Sequence, residues 1–154
     1  MTTNKLERII KYNFNNVNLL KEALIHSSYA SKSCKKNYER LEFLGDRVLG
    51  LVLAEYVFHV FPEANEGFLN SYYQKYVSQE YLFNYSKKIQ LSNFIKTQKG
   101  DNLDDNKSIL SDVVESIIGA IYLDSGFTDC KEFIIKEIIC LLYTSDAADE
   151  VAGG

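Results

Sequence analysis

Proline is nearly absent from this chain of 154 residues, which has only Pro62. Glycine is also sparse outside candidate turns. With apolar spacing that is mostly near 3.6 residues, this argues for helices over sheet. Cys34, Cys130 and Cys140 are scattered, with no Cys-x-x-Cys pair. No Cys/His spacing suggests zinc, and the thiols read as reduced cysteines of a cytoplasmic protein. Neither histidine, His26 or His59, has a Ser, Cys or Asp at a spacing that suggests a triad. Both read as hydrogen-bonded structural residues. No uncharged apolar run reaches the length of a membrane span, and Met1–Lys5 leads into charged residues rather than a signal-peptide core. An excess of basic charge is also missing. Twenty-one acids stand against 17 bases, a net charge of −4, which is unpromising for binding phosphate backbones.

What is present is 46% hydrophobic residues, enough for one domain with a sizeable core. Two apolar helices in it carry acids. In Asn37–Asp46 the acids are Glu39, Glu42 and Asp46. At about 100° per residue they fall within a sector of roughly 60° and point the same way. From Val48 to Phe61 the same helix is apolar nearly all round, which marks it as buried. The second helix, Ser108–Leu123, has Asp112 and Glu115 as its only charges, one turn apart on one face. Gly119-Ala120 would let another helix approach closely.

A lone acid on a core helix usually sits at a solvated edge. Two clusters that each interrupt a long apolar face point instead to a shared site. Buried carboxylates cost several kcal/mol each unless something positive offsets them. If the helices pack side by side, Glu42, Asp46, Asp112 and Glu115 offer four oxygen ligands. That set suits Mg²⁺, with Mn²⁺ as a substitute.

Asn37-Tyr38-Glu39-Arg40-Leu41-Glu42-Phe43-Leu44-Gly45-Asp46 resembles the signature of the ribonuclease III family. So does Ser108–Glu115, followed by Ile118–Asp124. Ala23–Tyr29 is similar to the family's His-x-Ser segment, and Phe61-Pro62 with Glu66-Gly67 to its connector. The likeness runs in order from about Tyr12 to Ile139. It implies an all-α, homodimeric helical bundle that cleaves double-stranded RNA and leaves 5′-phosphate and 3′-hydroxyl ends. The implied substrates are ribosomal RNA precursors and other structured transcripts. By the same resemblance Glu42, Asp46, Asp112 and Glu115 hold the metal, with Asp46 and Glu115 catalytic. Glu39 and Glu66 are further catalytic acids lining the cleavage centre, and Phe43 packs across the dimer two-fold. No small-molecule cofactor and no membrane is expected. One departure is Ser71-Tyr72-Tyr73-Gln74, where the family often carries basic residues. The alternative is a non-catalytic dimerising RNA-binding or ribosome-associated member, expected to have lost one or more acids. Here the whole set is present.

The remaining elements read as follows. A short helix covers 6–11, and Asn16 caps a helix over 17–29. The signature helix covers 38–61 and stops at Pro62. A helix over 66–88 carries an aromatic stripe (Phe68, Tyr72, Tyr76, Phe83) suited to a core. The second acidic helix ends near Gly126, and Thr128 caps a last helix from Asp129. Lys32, Lys35 and Lys36 form a basic loop. The catalytic domain is expected over 1–139. Residues 140–154 read as a non-native tail, because Cys140–Glu150 matches one translated frame of a common sequencing adapter. Without that tail the balance is 18 acids against 17 bases. By the resemblance, the natural chain continues past Ile139.

Overall fold

Two long apolar helices cross at the centre, and the others are arranged around them. The structure, a computed structural model, describes residues 2–29, 36–98 and 102–139. The helices are α1 (Thr3–Ile10), α2 (Val17–Ala23), α3 (Glu39–Val60), α4 (Glu66–Val77), α5 (Gln79–Lys88), α6 (Lys107–Ser125) and α7 (Phe127–Phe133). A 3₁₀ turn covers Leu91–Phe94, and a π-helical segment, Ile134–Ile139, extends α7. The fold is all-α. Among the described residues the only β pairing is an isolated parallel bridge between Ile25 and Lys96. Lys32, Cys34, Lys35 and residues 140–154 lie outside the described residues.

Helix α6 is the hub and packs on α2, α3, α5 and α7. Between Leu110 and Ile121 only Asp112 and Glu115 are not buried. Its tightest neighbour is α3, and the reason is two glycines. A Cβ at Gly45 would lie 1.7 Å from the Glu115 carbonyl oxygen, and one at Gly119 would lie 2.2 Å from the Leu41 carbonyl oxygen. Only hydrogen fits at either position, so the backbones touch. Gly119 belongs to the pair singled out above, and Gly45 is its counterpart.

The ends follow local chemistry. The side chains of Asn16, Asn65 and Asn106 accept the first free amides of α2, α4 and α6. The stretch 66–88 is two helices rather than one. Ser78 is extended (ψ 152°), and its hydroxyl accepts from the Tyr81 amide at 3.2 Å. Helix α2 stops at Ala23 instead of running to Tyr29. The chain turns there to pair with Lys96, whose amide donates to Leu24 O at 2.8 Å and whose carbonyl accepts from His26 N at 3.0 Å. Gly126 (φ 90°) separates α6 from α7, which begins at Phe127 with no capping bond from Thr128. In the aromatic stripe Tyr72 and Tyr76 are buried and Phe83 packs against the core, while Phe68 stays half exposed.

Candidate metal centre

The glycine crossing sets Glu42, on α3, against Asp112 and Glu115, on α6. These three half-buried residues each offer a carboxylate oxygen, all within 4.8 Å of one another. Like charges at that spacing repel strongly in a partly dry site. Burial, then Asp112, Glu39 and Asp46, push the Glu42 carboxyl up to about 7. Burial, then Asp46, Asp112 and Glu42, push Glu115 up to about 8. Burial also raises Asp112.

Glu42 hydrogen-bonds Asp112, and Glu115 hydrogen-bonds Asp46. Each contact joins α3 to α6. A divalent cation would offset the crowded negative charge. The donors are all carboxylate oxygens, and no His or Cys belongs to the group. This set fits a hard cation and fits zinc poorly.

Asp46 is more exposed than the other three. It lies at the solvent edge, where its Oδ2 accepts from Arg47 Nη1 at 2.9 Å. Glu39 is exposed in the first turn of α3, on the same side as Glu42, whose carboxyl it helps to raise. Glu66 is placed elsewhere. It opens α4 and lines a separate cavity with Val57, Phe58 and Tyr73. At 1.5 Å per residue along α3, that places it about 22 Å from Glu42. One chain does not bring Glu66 to the other acids.

Two neighbours of the centre were not singled out from the sequence. Tyr38 is buried at the start of α3. Its hydroxyl is pushed up to about 12 by burial, then by Asp112, Glu42 and Glu39. The His26 ring stacks on it at 5.4 Å. His26 Nδ1 also accepts the Ser28 amide at 3.1 Å, so its local bonding is that of a turn. The second neighbour is Arg47, whose guanidinium lies 4.1 Å from the centroid of the Phe43 ring. Its signal was the i, i+4 spacing from Phe43 and its adjacency to Asp46. His59 is exposed beside Phe58, and Cys130 is a buried thiol pushed up to about 12 by burial.

An unpartnered apolar face adjoins the acids. Phe43, Leu51 and Phe58 are 62%, 58% and 64% exposed. They occupy a sector of α3 about 80° wide, roughly 100° round from Glu42. Beside Phe43 a cavity of about 590 Å³ is lined by Leu19, Leu41, Leu44 and Leu123, with Glu39 and Arg40 at its edge.

Residues 16–142 match the family model described as Ribonuclease-III-like. The chain is 42% identical over 140 residues to Ribonuclease 3 of Clostridium tetani, covering 88% of this chain and 60% of that protein. It is 44% identical over 133 residues to Ribonuclease 3 of Ehrlichia chaffeensis, covering 84% and 59%. The nuclease domain of ribonuclease III from Campylobacter jejuni superposes with a TM-score of 0.84 at 38% identity, covering 90% of this chain and 96% of that one. That domain has a flexible region involved in dimer formation. The chain spans about 60% of the length of the curated relatives it matches. On sequence and on structure alike, it belongs to the ribonuclease-III-like family.

Proposed function

We propose that this chain is the catalytic domain, residues 1–139, of a metal-dependent endoribonuclease. It cleaves double-stranded RNA and leaves 5′-phosphate and 3′-hydroxyl ends. The observation that carries the reading is the convergence of Glu42, Asp112 and Glu115 across the Gly45–Gly119 crossing, with Asp46 at its edge. These four residues hold Mg²⁺, for which Mn²⁺ substitutes. When bound, the ion supplies an acidified water and stabilises charge on the phosphoryl oxygens. Glu42 and Glu115 give up their protons as the centre fills. Asp46, at the solvent edge, and Glu115 orient the attacking water. Tyr38 closes the inner wall, and its high hydroxyl pKa keeps it neutral beside the acids.

The working unit is a homodimer. One centre cuts one strand, and a two-fold repeats it along the duplex. The Phe43–Leu51–Phe58 face and the adjoining cavity receive the second copy. An antiparallel crossing of two α3 helices near Leu51 sets the Phe58 end of one beside the Phe43 end of the other. That arrangement carries Glu66 of one copy toward the acids of the other, and Glu39 and Glu66 then line the same cleft. The RNA is read by its A-form shape and 2′-hydroxyls, and the substrates are ribosomal RNA precursors and structured transcripts. No described helix is long and apolar enough to cross a membrane, and we place the protein in the cytoplasm. Residues 140–154 are a non-native tail on this reading.

The test is cleavage of a long duplex RNA with Mg²⁺, with Mn²⁺ and with chelator, followed by chemical analysis of the ends. Metal-dependent cuts with 5′-phosphates are expected. A folded chain that binds the duplex and cuts it under none of these conditions would support the non-catalytic alternative.

A further inference from the structure

Arg47 stands in the middle of an otherwise apolar stripe, about 40° round α3 from Phe43. Its guanidinium has two partners at once. It lies 4.1 Å over the Phe43 ring, and it donates to Asp46 Oδ2 at 2.9 Å. Residues at i and i+1 on a helix do not ordinarily face each other, yet these two side chains are in contact. Asp46 is also the acid left out of the close trio formed by Glu42, Asp112 and Glu115. Asp46 thus stands between the Arg47 guanidinium on one side and Glu115, whose carboxyl it helps to raise, on the other.

We propose that Arg47, braced on Phe43, is a positioning residue that competes with the divalent cation for Asp46. Filling the centre requires Asp46 to leave the guanidinium and turn toward the other three carboxylates. Arg47 therefore raises the cation concentration at which the centre fills, and it leaves the filled centre unchanged. This inference rests on the reading of the four acids as a cation site.

The pair is exposed on both sides, and exposed ion pairs have small coupling. The effect to look for is about 3-fold, within the range that such pairs span. Mn²⁺ is the probe, with the free ion followed by electron paramagnetic resonance against the full chain. Arg47→Gln should bind Mn²⁺ about 3-fold more tightly than the wild type. The half-saturating Mn²⁺ for duplex cleavage should fall to match. Arg40→Gln is the control, since it removes the same charge one helical stretch away with no contact to Asp46. It should change affinity little. Thermal melts without metal establish that both variants are folded. Equal tightening by the two variants would reduce the effect to net charge and overturn the proposal. Weaker binding by Arg47→Gln would overturn it too. A wild type that binds Mn²⁺ while Arg47→Gln matches it removes this inference alone. A wild type that binds no Mn²⁺ removes the cation-site reading and this inference with it.

Discussion

Replacing Glu115 by Gln should stabilise the metal-free protein and abolish its chemistry. The substitution keeps volume and hydrogen-bonding capacity and removes a charge that the fold holds at a cost. Burial and three neighbouring acids raise the Glu115 carboxyl from 4.5 to about 8. The sign follows from proton binding. Between those values the folded state holds the proton that the unfolded state has released. The contribution is fully present below pH 4.5 and is lost as pH rises through about 8. At ~1.4 kcal/mol per pH unit, a wholly buried and independent group would forfeit about 5 kcal/mol. Glu115 is partly solvated and interacts with several neighbouring acids, so screening reduces this to the order of 1–2 kcal/mol. For a domain of this size that is a rise in Tm of about 4 °C for Glu115→Gln at pH 8.5 in chelator, and little change at pH 5. Saturating Mg²⁺ should reverse the order. A ligand at 100 times its Kd adds about 2.7 kcal/mol to the state that binds it, and the variant has lost one of four oxygen donors. Duplex cleavage should fall by ~100-fold or more, while a gel shift in Ca²⁺ still shows RNA bound, because phosphate contacts lie elsewhere. A variant that cuts at near wild-type rate would refute the metal assignment. One that melts lower than wild type at pH 8.5 without metal would mark Glu115 as a structural carboxylate.

Three more outcomes are expected. Gly45→Ala sets a methyl 1.7 Å from a backbone oxygen, so α3 and α6 must part by about 1.5 Å, for a net loss of about 3 kcal/mol after the gain in helix propensity. A melt within two degrees or so of wild type would show that the crossing yields more easily than this. Phe43→Ala removes a side chain that is 62% exposed and should cost the single chain under ~1 kcal/mol. It should weaken self-association at least ~10-fold if Phe43 is an interface anchor, and sedimentation that shows an unchanged dimer would rule that out. Deleting residues 140–154 should shift Tm by under ~2 °C, since the tail reads as foreign to the core. A loss of many degrees would make those residues part of the fold.

The acids were legible because helical spacing alone assigns residues to a face. Glu42 and Asp46 on one apolar helix, and Asp112 and Glu115 on another, needed no tertiary information. The tightness of the crossing was half legible. Gly119 stood out in an apolar run, whereas Gly45 sat inside the signature and its role depends on which backbone it meets. The Ser78 break left no Gly or Pro as a mark, and the aromatic period runs on through it. The early end of α2 is a tertiary effect, because the bonds from Leu24 and His26 go to Lys96, some seventy residues away. The distance of Glu66 from the acids is also tertiary. Its place on α4 beside Val57 and Phe58 follows from the turn at Pro62, not from any local pattern.

Helix α6 contains its own control for what separates a structural carboxylate from one that awaits a ligand. Asp124, at its end, accepts the Tyr12 hydroxyl at 2.7 Å and the amides of Asn15 and Asn16 at 2.9 and 2.7 Å. Burial works to raise Asp124, but those three donors outweigh it and hold the group below the usual carboxylate range. Its charge is satisfied, and it fastens the segment before α2 to the end of α6. Glu115 lies nine residues earlier on the same helix and has the opposite environment. Its bonded side-chain neighbour is another acid, Asp46, and its carboxyl moves up instead of down. The helix dipole does not account for the difference, because the negative C-terminal end of α6 would raise Asp124 and not lower it. What differs is the supply of donors, protein O–H and N–H groups at Asp124 and only acids at Glu115. A fold that can satisfy a carboxylate with its own donors, and does so at one position, leaves the other set short of positive charge. That shortage, and not acidity alone, is the physical argument for a cation at Glu42, Asp46, Asp112 and Glu115.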